Sequence, residues 1–500
     1  MLIPDSTGVA AVARDEGRPW SVRLSVPAAA LIAVTALAAV LRFATIANQS
    51  YWYDEAATVH LLRMSFGAML HGVGTQESTP PLYYVLAWLW AKVFGTGEAG
   101  LRSLSALAGT AVIPIAYLCG RELISRWAGL LAGALAAVNP FMIWYSQEAR
   151  SYMLLAALCG ASLWCCARAW RSPSSRTFGC WAGLSALALA THFFAGFLVA
   201  PEALVLLWRA RSAAALAAAG AVAAVQAALV PLAVGDTSHH LQGWITQFPL
   251  SIRIQQVPVA FAFGTLYQSP IVTYGLLGAA VLAGLLIVLL VIGADGSQLR
   301  GAGLAAALAG FVVLAPLVLA FTGRDYYIAR NLMPAWVALA VLIGGACTAP
   351  RARVGGALLA VVLIGACAWA QLKIERDPSY QRPDVRGVAA ALGAASGPRA
   401  IVAFQGAYVT LPLALYLRGA DPAAATEPAV SEVDVVCNPN QPLPTQLPAG
   451  ARLLASHIVG GYMVRRFAVA PAWPVSALPG AAAALVGRPP LGAAILIQRS

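Results

Sequence analysis

Two acidic residues stand side by side in Tyr-Trp-Tyr-Asp-Glu-Ala (51–56), just after an apolar run from Val26 to Phe43. Carboxylates are costly near a bilayer, so a pair beside a membrane-length run points to a reactive site. A third acid, Glu148, lies in Tyr-Ser-Gln-Glu-Ala-Arg-Ser-Tyr (145–152), at the mouth of another apolar run. Cations fall near the same run ends: Arg63, Lys92, Arg102, Arg150, Arg253, Arg324 and Arg330. Arginine presents a planar fork that fits phosphate oxygens, and basic groups between helix ends suit lipid head groups. A carboxylate that takes a proton, with cations that hold a departing phosphate, is the minimal set for displacing a lipid phosphate from a sugar carbon.

Each of these residues also has a plainer role open to it. Asp54 or Glu55 could cap a helix starting at Ala56, although a cap needs one acid and not two. Glu148 could pair with Arg150 or cap its span. Arg42, near the outer end of the first run, could snorkel outward or neutralise the carboxylates. His192, in Thr-His-Phe-Phe (191–194), is either a packed interfacial residue or a ligand contact. His239 and His240 are adjacent but lack an identified third ligand for a metal.

The elements that position these groups are membrane spans. The chain is 60% hydrophobic, 10% charged and +12 in net charge, with a mean hydropathy of +0.74; soluble domains are about 45–50% apolar and about 25% charged. The arginines are scattered among apolar runs and not gathered on one face, so nucleic acid is not an expected partner. Span-length runs lie near 26–48, 103–120, 127–145, 151–170, 178–194, 213–234, 271–293, 302–321, 332–348 and 354–372, with a shorter one at 195–208 completing a hairpin. This predicts about 11 transmembrane helices. Arg14, Arg18 and Arg23, then Arg121 and Arg126, Arg168, Arg171 and Arg176, Arg209 and Arg211, Arg300, and Arg351 and Arg353 mark alternate ends. The positive-inside rule places these in the cytoplasm, with the N-terminus inside and the tail outside. That parity requires 81–94, which Pro80-Pro81 opens, to be interfacial or re-entrant rather than spanning. No cleavable signal peptide is evident.

The expected organisation is a cytoplasmic segment over 1–25, a membrane domain over 26–372 with a long first outer loop at 49–102, and an outer α/β domain over 373–500. In that domain strands are expected near 400–404, 432–436 and 462–469, and helices near 384–392 and 408–417. The Ala/Pro/Gly-rich stretch 470–492 is expected to be loosely ordered before a terminal strand at 494–498. Seven of the eight cysteines lie in or beside spans, and only Cys437 belongs to the outer domain, so no disulfide framework is expected.

The order of motifs adds a resemblance. Tyr-Trp-Tyr-Asp-Glu-Ala (51–56), Thr-Pro-Pro-Leu-Tyr-Tyr (79–84), Gly-Glu-Ala-Gly-Leu-Arg-Ser (97–103), Tyr-Ser-Gln-Glu-Ala-Arg-Ser-Tyr (145–152), Thr-His-Phe-Phe (191–194) and Arg-Asn-Leu-Met-Pro (330–334) resemble the bacterial family 39 glycosyltransferases. These are relatives of dolichyl-phosphate-mannose protein mannosyltransferases and aminoarabinose transferases. The resemblance implies a GT-C fold in the bacterial cytoplasmic membrane and sugar transfer from a polyprenyl phosphate on the outer face, with inversion. It implies Asp54 as the essential acid with Glu55 beside it, Glu148 as the acid of the second outer loop, and Arg102 and Arg330 as phosphate ligands. Arg150 and Arg63 join them as donor-phosphate candidates, and Tyr53, Tyr83, His192 and Tyr327 are the expected substrate contacts. The late motif departs from the family in carrying Asn331 where Tyr is usual. No large inserted domain occupies 235–256, so a protein acceptor is not implied; glycan, lipid and protein all stay open. No cofactor is firmly implied, and the need for a divalent metal stays open.

The expected reaction has Asp54 deprotonating an acceptor hydroxyl while Glu148 positions the acceptor or stabilises positive charge on the sugar ring. The alternative class is a lipid-linked sugar transporter or flippase. That class favours acids at mid-membrane on broken helices in related halves, whereas these acids sit at the outer rim. A scaffold presenting the outer domain is a third reading.

Overall fold

A computed structural model describes residues 25–77, 79–238, 243–395, 397–404, 406–423, 429–486 and 494–499. Arg14, Arg18, Arg23, His239 and His240 lie outside these. Among the described residues, nine helices are long and apolar enough to cross a membrane, and ten if a bent pair counts as one span. The protein is an integral membrane protein. The bent pair is Arg126–Val138 with Pro140–Ser146, which turn by 60°. Pro140 cannot donate to the preceding turn, and Asn139 caps the new helix by accepting the Met142 amide at 3.1 Å. A further helix, Ser175–Thr191, has 17 residues. It turns through His192 into Phe193–Ala210, and Trp181 Nε1 on the first helix donates to Glu202 on the second at 2.9 Å.

The spans pack through small residues, as helices do where lipid supplies no hydrophobic drive. A Cβ on Gly120 would stand 2.5 Å from Gly129 Cα, and one on Gly344 would stand 2.3 Å from the Ala128 carbonyl. Gly120→Ala is therefore expected to cost about 1–3 kcal/mol by overpacking. Gly303→Ala, where a Cβ meets nothing within 4 Å, is the control. Thermal unfolding in detergent should show the first variant melting well below wild type and the second unchanged.

Between the first span and Glu98–Leu123 the chain folds into three short helices, Tyr53–Leu62, Phe66–Gln76 and Leu82–Phe94. The last of these has 13 residues, too few to span, which agrees with an interfacial or re-entrant segment. Arg42 neither snorkels nor meets a carboxylate. It is fully buried, and it donates to the carbonyls of Ala136 (2.8 Å) and Ala137 (3.1 Å) at the end of Arg126–Val138.

After Arg353–Arg376 comes an α/β domain. Its strands are β1 (Arg399–Ala403), β2 (Ala420–Pro422), β3 (Val430–Cys437), β4 (Ala451–Val459), β5 (Tyr462–Trp473) and β6 (Ala494–Gln498), in the order β2-β6-β1-β3-β5-β4. Only β1 and β3 run parallel. Ile401 and Ala403 face the helices Val385–Leu392 and Ala407–Tyr416, while Ala400 and Val402 face the opposite layer with Phe467 and Leu478. This is the two-residue period of a strand buried on both sides. The stretch expected to be loose is partly regular: β5 runs to Trp473 and a helix covers Leu478–Val486. Residues 487–493 lie outside the described residues.

The C-terminal α/β domain is latched to the linker that follows the first span. Ser50 Oγ donates to the Pro383 carbonyl at 3.1 Å and accepts the Val385 amide at 3.0 Å. Tyr416 Oη accepts the Tyr51 amide at 2.7 Å and donates to Glu98 at 2.8 Å. These bonds seat the domain over one end of the spans.

Candidate active site

Between the C-terminal domain and the spans lies a cavity of about 650 Å³. Its walls come from five parts of the chain: the start of Tyr53–Leu62, the bent segment around Trp144 and Glu148, the stretch from Trp244 to Gln268, the late turn at Arg330, and the C-terminal region through Arg382, Tyr408 and Tyr462. Asp54 and Glu148 both line it. The two carboxylates that sequence reasoning brought together therefore share one chamber.

Asp54 lies in the first turn of Tyr53–Leu62, where a negative charge also suits the helix dipole. The N-cap position is Trp52, and no side chain caps the helix there. The Asp54 carboxylate instead accepts from Arg330 at 3.1 Å. Arg330 opens the turn Ala329–Ala335, which the Asn331 side chain closes by donating to the Tyr326 carbonyl at 2.8 Å. The Arg330 guanidinium sits over Trp52, Tyr152 and Trp244, with its centre 5.0 to 5.9 Å from their rings. Among the described residues it makes one hydrogen bond, to Asp54, so four of its five N–H donors remain for an anion.

Glu148 is buried. Its Oε2 accepts from Arg382 at 2.8 Å, and its Oε1 has no hydrogen-bond partner. Burial pushes this carboxyl up to about 6, against the pull of the Arg382 charge. Tyr53 also lines the cavity, its ring stacked on Tyr408 at 5.1 Å. Among the described residues no three His, Cys, Asp or Glu side chains gather as a metal site.

Residues 78–234 match the model of the family described as dolichyl-phosphate-mannose-protein mannosyltransferase. No curated protein matches the chain. Among solved structures, apo ArnT from Cupriavidus metallidurans aligns at 15% identity and a TM-score of 0.53, covering 88% of this chain and 98% of that one. The same ArnT bound to undecaprenyl phosphate aligns at 16% identity and 0.51, with the same coverage of both chains. The chain has the GT-C fold, and residues 78–234 resemble the mannosyltransferase family.

Within this GT-C architecture, several expected site residues turn out to be engaged elsewhere. Glu55 is fully buried and faces away from the cavity; it takes Arg102 on both oxygens at 2.7 Å and the Ala149 amide at 2.8 Å. Burial would raise its pKa, but Arg102, Arg382 and that amide hold it below the usual carboxylate range. Arg102 is not a phosphate ligand. Beyond Glu55, its fork donates to the carbonyls of Ile46, Gln49 and Ser50, so all five N–H groups are taken. Arg150 is turned away from the cavity: its terminal nitrogens bind Glu77 at 2.8 and 2.9 Å and Tyr84 Oη at 2.8 Å, and its Nε is buried. Arg63 is exposed at the far end of the Asp54 helix, about 13 Å along its axis at 1.5 Å per residue.

The aromatic expectations divide in the same way. Tyr53 is in the chamber. Tyr83 is buried edge-on against Tyr84 at 5.5 Å. His192 is buried between Tyr152 and Phe194, where its Nδ1 accepts the Phe194 amide at 3.3 Å. Tyr327 packs with Val257 and Leu332. None of these three lines the cavity.

Sequence reasoning passed over Arg382, Tyr408 and Tyr462, which the outer domain supplies. The available signal for Arg382 was a cation in Tyr-Gln-Arg-Pro (380–383), only a few residues beyond the last span. Arg253, counted there only as one cation among several, lines the cavity and pairs with Asp325.

Proposed function

We propose that the protein is a membrane glycosyltransferase that moves a sugar from a polyprenyl-phosphate donor to an acceptor hydroxyl on the outer face of the bacterial cytoplasmic membrane. One observation carries this reading: Asp54 and Glu148 share a chamber with Arg330, whose fork is largely unclaimed. The undecaprenyl phosphate of the ArnT complex supports the choice of donor, and the arginines at alternate helix ends support an outward-facing site with the N-terminus inside.

The residues divide the work as follows. Asp54 takes the proton of the acceptor hydroxyl, and the oxygen attacks the anomeric carbon from the face opposite the phosphate. The carbon–oxygen bond to phosphate breaks with its electron pair, so that polyprenyl phosphate departs and the configuration inverts. Arg330 stabilises the charge that grows on the leaving oxygen, in a cavity walled by Trp52, Trp144 and Tyr145 where such charges are poorly screened. Glu148 offers its free oxygen to the sugar ring as positive charge develops there.

The test is release of polyprenyl phosphate by purified protein offered a panel of polyprenyl-phosphate sugars, with EDTA and divalent-cation arms to decide whether a metal takes part. Release from one donor supports the reading. Intact donor moved across liposome membranes, without release, would replace it with transport. Arg330→Met is expected to lower kcat/KM for the donor about a hundredfold, the usual scale for losing one charge-stabilising donor. An unchanged kcat/KM would remove Arg330 from the leaving-group role.

A further inference from the structure

The stretch between the last span and the outer sheet carries Arg382 into the chamber. Its side chain is 4% exposed. One terminal nitrogen donates to Glu148 Oε2 at 2.8 Å, the other donates to the Gln147 carbonyl at 3.2 Å, and the guanidinium lies 4.3 Å from the Trp144 ring centre. The backbone holds it from both sides. The Arg382 amide donates to Gln49 Oε1 at 3.0 Å, and the neighbouring Pro383 and Val385 bond to Ser50. Three separate elements thus fix one arginine against one carboxylate.

The pair is not saturated. Glu148 Oε1 and Arg382 Nε are both buried, and neither has a hydrogen-bond partner among the described residues. Arg150 Nε is open in the same way within its pair with Glu77, so an open atom alone is no mark of a ligand. What sets Glu148 and Arg382 apart is that both line the cavity, where a bound molecule can meet the open atoms.

The charges around Glu148 make Arg382 decisive. Glu55 and Asp54 from the Tyr53–Leu62 helix raise its proton affinity, and Arg330 from the late turn opposes them. Tyr145, on the helix that leads into Glu148, and Tyr152 beyond it both lie within reach of its charge. Among the described residues, only Arg382 forms an ion pair with it.

We infer that Arg382 is a positioning residue for Glu148, holding that carboxylate ionised and aimed at the reacting sugar, so that the outer domain completes the reaction centre. The inference rests on the role proposed above for Glu148. It makes the outer domain a working part of the site and not a module carried beside it.

The test uses full-length protein and the pH profile of polyprenyl-phosphate release. Activity that needs Glu148 as a carboxylate falls as pH drops through its pKa. Removing an adjacent cation raises that pKa, so in Arg382→Gln the acid limb should move up by about one pH unit or more. At neutral pH the smaller ionised fraction alone should lower kcat about twofold, and the lost aim of the carboxylate should carry the fall to about tenfold, while donor KM changes little. Arg382→Lys, which restores the charge, should bring the limb most of the way back. An acid limb unmoved in Arg382→Gln overturns the inference, as does a common loss of activity and melting temperature in both variants, which would make the arginine structural. Glu148→Gln separates the two levels. If it turns over like wild type, the role of Glu148 itself fails; if it is inactive while Arg382→Gln keeps a wild-type profile, only the inference fails.

Discussion

Asp54→Asn is expected to abolish sugar transfer, with kcat reduced about a thousandfold or more in the polyprenyl-phosphate release assay. Asparagine keeps the volume and can still face Arg330, but its amide cannot take the proton of an acceptor hydroxyl. General-base catalysis contributes about 10²–10⁴ in rate, and a thousandfold is about 4 kcal/mol of barrier. The fold should survive, because Asp54 caps no backbone group through its side chain and its partner Arg330 keeps three aromatic neighbours. A melting temperature near that of wild type is therefore part of the expected result. Turnover within a fewfold of wild type would remove Asp54 from the chemistry, whatever the cavity looks like.

The contrast between Asp54 and its neighbour shows where sequence reasoning ends. Both acids stand at the same membrane edge, and nothing in their local sequence tells them apart. Consecutive helix residues point about 100° apart. One therefore meets the chamber and the other meets Glu98–Leu123, and which is which depends on how Tyr53–Leu62 rolls against its neighbours. The same holds for Arg102 and Arg330. Each is an arginine in the opening turn of a span, but one finds a buried carboxylate and three carbonyls while the other finds an open chamber. The spans themselves were legible because run length and alternating arginines are direct consequences of bilayer thickness and membrane orientation.

Where averages hide detail, the reading was coarser. The run 127–145 reads as one span because mean hydropathy is blind to a 60° bend, although Asn139-Pro140 carries both the cap and the missing donor that make it. In the outer domain, β1, β3 and β5 announce themselves through buried β-branched and aromatic residues. The edge strand β4 is mostly exposed, so its apolar alternation is weak, and β2 has three residues. Arg382 was out of reach for a different reason. Its importance comes from a contact with Glu148, 234 residues away in the chain.

Arg102→Met is expected to collapse the yield of folded protein. The substitution leaves Glu55 buried at 0% exposure with no cation against either oxygen, and it leaves the carbonyls of Ile46, Gln49 and Ser50 without their donor. Breaking a buried pair from one side costs about 3–5 kcal/mol, a large share of the 5–15 kcal/mol typical of a folded protein. The damage should spread, since the same linker anchors the outer domain through Gln49 and Ser50. Whatever protein does fold should bind donor with a KM close to wild type, because no N–H of Arg102 faces the chamber. The double variant Arg102→Met with Glu55→Leu should melt closer to wild type than the single one, since it removes the stranded charge even though the linker carbonyls stay unpaired. A stable Arg102→Met protein with a strongly raised donor KM would return this arginine to the phosphate, and the chamber beneath the outer domain would then not be where the donor binds.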